Sequence, residues 1–245
     1  MPILHFSPPV IAHRGASGYA PENTLAAFAK AKACGARWVE FDVQLTADQE
    51  VVIFHDDLLQ RTSNGQGPLS QQTYAQLQTL DAGSWFDVNV PQSIPRLRTV
   101  LQFLQQENMA ANIELKPLLG QEEILAARVA EECRALQCLD SPDILFSSFS
   151  IPALQALRQV APHALLGLLM DTWFDEWPTV CAALDCVSVH VNYHVLNKVR
   201  AAAIKSMQKY LLCYTVNDPK LALTLFAQGV DAVFSDYPDR IHASA

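Results

Sequence analysis

Two histidines, three carboxylates and two cationic side chains have the types and spacings that phosphoryl transfer needs. His13 and Arg14 are adjacent and followed by Gly15. Glu40 and Asp42 stand two apart in an apolar run, His55-Asp56 closes another, and Glu114 and Lys116 stand two apart at the end of a third. Residues two apart in a strand project from one face, so Glu40 pairs with Asp42 and Glu114 with Lys116. Three carboxylates brought to one mouth repel one another unless they keep protons or a hard divalent cation neutralises them. An all-oxygen donor set favours Mg²⁺ or Ca²⁺ over zinc. Three protein ligands leave coordination positions for water and substrate oxygens. Histidine serves as acid and base near neutral pH, and Arg14 and Lys116 are donors for a phosphate. Taken singly, a Glu-x-Asp pair is most often a solvated strand edge and a strand-end histidine most often a hydrogen-bonded one. Their joint occurrence at the ends of otherwise apolar strands is what points to chemistry.

The elements that must carry these residues alternate along the chain. Strand-type apolar runs fall at 10–13, 38–45, 51–55, 111–115, 144–149, 165–170, 186–191, 211–216 and 232–235. Helix-period stretches at 24–33, 100–106, 121–136, 151–160, 195–208 and 220–228 separate most of them, and Gly35 and Gly229 are fitting stops. Alternation of this kind predicts a parallel sheet, and about eight units in a chain of this length predict a closed (β/α)8 TIM barrel, an α/β fold. A doubly wound open sheet is the competitor, weakened because no GxGxxG follows the first strand. Only five residues, 46–50, link the second and third runs, too few for a parallel return. That predicts a hairpin, which would set Glu40 roughly opposite His55. Residues 57–99 lack a long helical period and are rich in Gln, Ser, Gly and Pro. They read as a small inserted subdomain after the third strand, on the barrel rim where binding loops belong. Residues 1–245 otherwise form one domain.

Composition excludes several classes. Half of the 245 residues are hydrophobic and only 17% are charged, so the chain is not a disordered one. The net charge of −8 argues against nucleic-acid binding and against docking on an anionic membrane. No stretch reaches the ~18 apolar residues of a membrane span, and the opening residues lack the basic and apolar regions of a secretory signal. Six cysteines without CxxC or His spacing read as thiols of a cytoplasmic protein rather than a disulfide framework. His190, at a late strand end, is a lesser candidate for lining the site.

The segment from His13-Arg14-Gly15 to Pro21-Glu22-Asn23-Thr24 resembles the HRG…PENT signature of the glycerophosphodiester phosphodiesterases. Glu40-Phe41-Asp42, His55-Asp56-Asp57 with Leu59-Gln60-Arg61-Thr62, and Asn112-Ile113-Glu114-Leu115-Lys116 are similar to that family's later motifs. So are Ser147-Ser148-Phe149, Tyr214-Thr215-Val216-Asn217 and Ser235-Asp236-Tyr237-Pro238. The likeness spans nearly the whole chain and is that of the short cytoplasmic bacterial type. It implies metal ligation by Glu40, Asp42 and Glu114, with one divalent cation, Mg²⁺ or Ca²⁺, and an acid–base pair of His13 and His55. It also implies that Arg14 and Lys116 hold the phosphate, while Glu22 and Asn23 organise the first loop and contact ligand. The implied substrates are small glycerophosphodiesters, cleaved to glycerol 3-phosphate and an alcohol. Tyr214 stands where the family often has Trp, and Ser235 where Thr is common.

Two rivals keep part of this reading. A lysophospholipase D or sphingomyelinase-like phosphodiesterase would use the same residues but needs an apolar acyl channel. A non-catalytic phosphodiester-binding protein would have lost a histidine or a metal ligand, and here every such position is filled.

Overall fold

The computed structural model describes residues 4–242; the first three residues of the opening segment read above lie outside them. Eight parallel strands close into a barrel: β1 (Val10–Ala12), β2 (Trp38–Leu45), β4 (Ala110–Leu115), β5 (Ile144–Ser148), β6 (Leu165–Met170), β7 (Ser188–Asn192), β8 (Tyr210–Tyr214) and β9 (Ala232–Ser235). Pairing of β1 with both β2 and β9 completes the ring. β3 (Val51–Ile53) pairs antiparallel with the last three residues of β2, so the short link does form a hairpin. Helices α1 (Leu25–Ala33), α3 (Leu97–Gln106), α4 (Glu122–Ala135), α5 (Ile151–Val160), α6 (Trp177–Ala183), α7 (Lys198–Ser206) and α8 (Pro219–Phe226) pack outside, and α9 (Pro238–His242) ends the described chain. The fold is the TIM barrel that the alternation predicts.

Strand parity divides the residues between two cores. Val39, Phe41 and Val43 of β2 face the helices, while Trp38 joins Ile11, Ala110, Leu145, Leu212, Ala232 and Phe234 in the barrel interior. Glu40 and Asp42 have the parity of Trp38 and therefore point inward, above that apolar floor. Between β3 and α3 the chain builds a small core of its own, in which Phe54, Leu59, Leu69, Tyr74, Leu77, Ala82 and Ile94 pack with Val52 of β3. This segment contains the one-turn helix α2 (Tyr74–Leu77).

Several boundaries differ from the sequence reading. α3 starts at Leu97, inside the 57–99 segment, because Leu97 is already fully buried. α6 was not legible: it spans only seven residues and buries only Trp177 and Cys181. The expected helix at 195–208 begins only at Lys198, after Asn197 caps it through Arg200 N. The cysteine spacing has a local explanation. Cys138 N–H donates to the Cys133 carbonyl and Cys186 N–H to that of Cys181, both at 2.9 Å, around left-handed Gln137 and Asp185. This helix-ending turn brings its first and sixth side chains together, so each thiol pair serves as packing. All six cysteines are free. Among the described residues no helix is long and apolar enough to cross a membrane.

Candidate active site

Register builds the acidic cluster. Asp42 of β2 lies directly beside Glu114 of β4, and Glu40 lies beside Asn112 one layer deeper. Neighbouring strands are about 4.8 Å apart, so inward carboxylates in register must approach one another. Oxygens of Glu40, Asp42 and Glu114 all lie within 4.8 Å of one another. Burial first, and then the neighbouring carboxylates, push Glu40 well up and Glu114 up to about 8. Asp42 goes the other way: burial would raise it, but Arg14, Lys116 and His55 together hold it below the usual range. Arg14 Nε is 3.5 Å and Lys116 Nζ 3.7 Å from its carboxylate.

The loop after β1 supplies the next layer. Gly15 has φ +80°, and a Cβ there would meet the Ala27 backbone at 2.6 Å, so only glycine lets this loop lie against α1. Arg14 itself is left-handed, φ 54°, a conformation that costs a non-glycine residue roughly 1–2 kcal/mol. The return is that its backbone N–H donates to Glu40 Oε2 at 2.9 Å while its guanidinium reaches Glu22.

Both histidines are anchored by an aspartate. His13 Nδ1 is 2.7 Å from Asp236 Oδ1, and His55 Nδ1 is 2.5 Å from Asp56 Oδ1. An ionised carboxylate only accepts, so each Nδ1 carries the proton and each Nε2 is left for the cavity. Asn217 Nδ2 donates to Asp236 Oδ2 at 2.7 Å, and Ser235 Oγ donates to Asn217 Oδ1 at 3.1 Å. Burial raises Asp236, but its bonds to His13, Asn217 and Ser17 overcome it and take the carboxyl down to about 2. A carboxyl lowered on folding adds stability above its unfolded value of 3.8 and loses it as pH falls through about 2. Asp236→Asn is therefore expected to remove about 2 kcal/mol of pH-dependent stability over that window, read as a flatter acid limb in urea unfolding between pH 2 and 6. Burial, opposed by Asp42 and assisted by Arg14 and Lys116, holds His55 below its ordinary value.

His55 does not reach the site by the expected register. Val43 pairs with Ile53, which would place Phe41 rather than Glu40 opposite position 55, and the last bond of the ladder is from Phe54 N–H to the Asp42 carbonyl at 3.1 Å. The buried Gln44 amide instead holds the carbonyls of Phe54, His55 and Asp56 at 2.9–3.0 Å and turns the chain over the mouth. His13, Arg14, Glu40, His55, Asn112 and Glu114 then line one cavity of about 160 Å³, facing an apolar wall of Phe149, Leu169, Tyr214 and Phe234. Phe149 meets Tyr214 edge-on at 5.9 Å.

Glu22 and Asn23 are engaged by the protein itself. Asn23, left-handed and buried, donates to Asp42 Oδ2 at 2.9 Å and accepts from Asp42 N, so it holds a carboxylate rather than facing the cavity. Glu22 accepts from Arg14. His190 lies fully buried beside Ser188, where a Cβ on Gly167 would clash with its ring, and it is absent from the cavity wall. The roles of Asp56, Asp236, Asn217 and Asn112 are not legible in the sequence, although all four sit within the motifs that carry the family resemblance. Asn112 donates to Ser147 Oγ at 2.9 Å and leaves its buried Oδ1 without a protein partner.

Residues 13–240 match the model of the glycerophosphoryl diester phosphodiesterase family. A solved structure of an Oleispira antarctica phosphodiesterase in complex with the product sn-glycerol-3-phosphate superposes with a TM-score of 0.93 at 39% identity, covering 97% of this chain and 96% of that one. The crystal structure of a glycerophosphodiester phosphodiesterase from Agrobacterium tumefaciens str. C58 gives 0.81 at 29% identity, covering 96% and 98%. A glycerophosphodiester phosphodiesterase of Bacillus altitudinis is 32% identical over 235 residues, 94% of this chain and 95% of its own length.

Proposed function

The chain belongs to the glycerophosphoryl diester phosphodiesterase family and is an enzyme of that kind, and on this premise we propose which residues perform the hydrolysis and how. Its substrates are glycerophosphodiesters with choline, ethanolamine or glycerol as the alcohol, and its products are glycerol 3-phosphate and the free alcohol. The observation that carries the reading is the convergence, in one cavity, of two aspartate-anchored histidines, Arg14, Glu40 and Glu114, with the buried Asp42 set within 4.8 Å of both glutamates.

Glu40, Asp42 and Glu114 suit one Mg²⁺ or Ca²⁺. Oxygens ligating a single such ion at 2.0–2.6 Å stand no more than about 5 Å apart, which the 4.8 Å limit of this group meets. Burial and the neighbouring carboxylates raise Glu40 and Glu114, a penalty that a cation would relieve. When bound, the ion supplies Lewis-acid stabilisation of phosphoryl charge. Arg14 and Lys116, already set beside Asp42, hold the phosphodiester anion.

The substrate glycerol carries a hydroxyl on the carbon next to the ester carbon. An internal nucleophile gains up to ~7–11 kcal/mol over a separate one when well oriented. His13 takes the hydroxyl proton as its oxygen bonds phosphorus, and the bond to the departing alcohol breaks as His55 protonates that oxygen. Water then opens the five-membered cyclic phosphate, giving a proton to His55 while His13 protonates the ring oxygen. In the free protein His55 sits below its ordinary value, and an incoming phosphodiester anion raises it, so substrate helps to load the proton that His55 delivers. The limb due to His55 is accordingly expected at higher pH in the kcat profile than in kcat/KM; coincident limbs would contradict this.

The first test is release of glycerol 3-phosphate from glycerophosphocholine, with Mg²⁺, with Ca²⁺ and with EDTA. Turnover unaffected by EDTA would remove the cation from the proposal. A substrate analogue lacking the neighbouring hydroxyl should bind and remain uncleaved. Cleavage at a comparable rate would favour direct attack by water.

A further inference from the structure

One guanidinium joins the two halves of this site. Arg61 ends the short 3₁₀ turn Leu59–Arg61 at the start of the segment between β3 and α3. Its Nε donates to Asp56 Oδ2 at 2.6 Å and its Nη2 lies 2.9 Å from Asp56 Oδ1. On the other edge, Nη1 donates to Glu22 Oε2 at 2.9 Å and Nη2 to Glu22 Oε1 at 2.7 Å. Asp56 holds His55, and Glu22 holds Arg14. A continuous line, Arg14–Glu22–Arg61–Asp56–His55, therefore runs from the loop after β1 to the loop after β3.

We propose that Arg61 is a positioning residue: it fixes the distance and orientation between Arg14, which holds the phosphate, and His55, which moves the proton. The inference rests on the phosphodiesterase reading above. Only a planar fork can bind two carboxylates along two edges at once with two bonds to each; a lysine ammonium has three donors on one atom and cannot give both carboxylates that paired geometry. The turn that carries Arg61 is itself fixed, because Leu59 and Thr62 are buried and Leu59 N–H donates to the Gly67 carbonyl at 3.0 Å. This gives the segment after β3 a task, which is to deliver a guanidinium between the two loops.

A plain surface ion pair is the competing account, and it predicts little effect on anything. The two accounts separate in their observables. The Arg61 side chain is 44% exposed, so its loss should barely move the melting temperature. Misplacing a reacting group by about 1 Å costs on the order of 100-fold in rate, so turnover should fall steeply.

Arg61→Ala, Arg61→Gln and Arg61→Lys are measured beside the wild type on glycerophosphocholine with Mg²⁺. The expected result is wild-type melting in all three, with kcat/KM down about 100-fold in the alanine and glutamine variants through both a lower kcat and a higher KM. Lysine should recover only part of the loss. Guanidinium ion should rescue Arg61→Ala saturably through the open side of the site, while equal sodium chloride or urea should not. Should the alanine variant fail to fold, Arg61→Gln decides. Turnover within threefold of wild type in Arg61→Gln, full activity in Arg61→Lys, or a loss in folded Arg61→Ala that guanidinium leaves untouched would each overturn the proposal. If the wild type itself turns nothing over, the reaction assignment has failed, and Arg61 is judged by the proton NMR signal of His55 Nδ1–H. That signal should broaden or vanish in Arg61→Gln, and an unchanged signal overturns the positioning role.

Discussion

Alanine at His13 or at His55 is expected to lower kcat by about 10²–10⁴, the usual contribution of one positioned proton-transfer group. Neither change should unfold the protein. Both rings lie at the cavity mouth rather than in the apolar core, and Asp236 keeps Asn217 and Ser17 as partners when His13 is removed. The two residues serve consecutive steps with exchanged roles, so the double variant should be little worse than the poorer single one. His163→Ala is the control: it lies outside the cavity and should turn over glycerophosphocholine at the wild-type rate. A wild-type rate in His13→Ala or His55→Ala, measured by release of glycerol 3-phosphate, would remove that histidine from the mechanism.

Glu40→Gln is expected to abolish most cation affinity and most turnover together, while raising the stability of the cation-free protein. The second effect follows from charge. Folding buries Glu40 beside Asp42 and Glu114, and its carboxyl is pushed well up; a neutral amide of nearly the same shape removes that penalty. The pH dependence has a definite sign. A carboxyl raised on folding gives stability that is complete below its unfolded value, 4.5 for glutamate, and is lost as pH rises through the folded one, about 8 for Glu114. With EDTA present, the melting temperature should therefore fall between pH 5 and 8. Mg²⁺ or Ca²⁺ should reverse that fall, by more at the higher pH, because a cation binds the deprotonated form. A melting curve for Glu40→Gln that still responds to millimolar cation as the wild type does would exclude Glu40 as a ligand.

Much of this was fixed by residues close together in the chain. Strand–helix alternation is written in local hydrophobic period, so the barrel was legible. The five residues 46–50 can only turn back, so the hairpin was legible too. Glu40 and Asp42 share a face because strands repeat every two residues. Local pattern does not say which face that is, and a Glu-x-Asp pair on a solvated edge has the same spacing. Closure of β1 onto β9 makes the inside of the ring, and the register of β2 with β4 sets Asp42 beside Glu114. Only then do the carboxylates crowd and their protonation shift. The same holds for the anchors: Asp236 meets His13 across 223 positions, and Arg61 meets Glu22 across 39. Asn23 could face ligand or carboxylate on sequence alone, and the packing of the first loop against β2 turned it toward Asp42. The kind of chemistry and the order of the elements could be read from the chain alone, because both depend on residue type and on near neighbours. Which groups touch, which carboxyls keep their protons and which side chains orient the histidines was decided by the tertiary structure, because those depend on distances that only the closed and packed barrel sets.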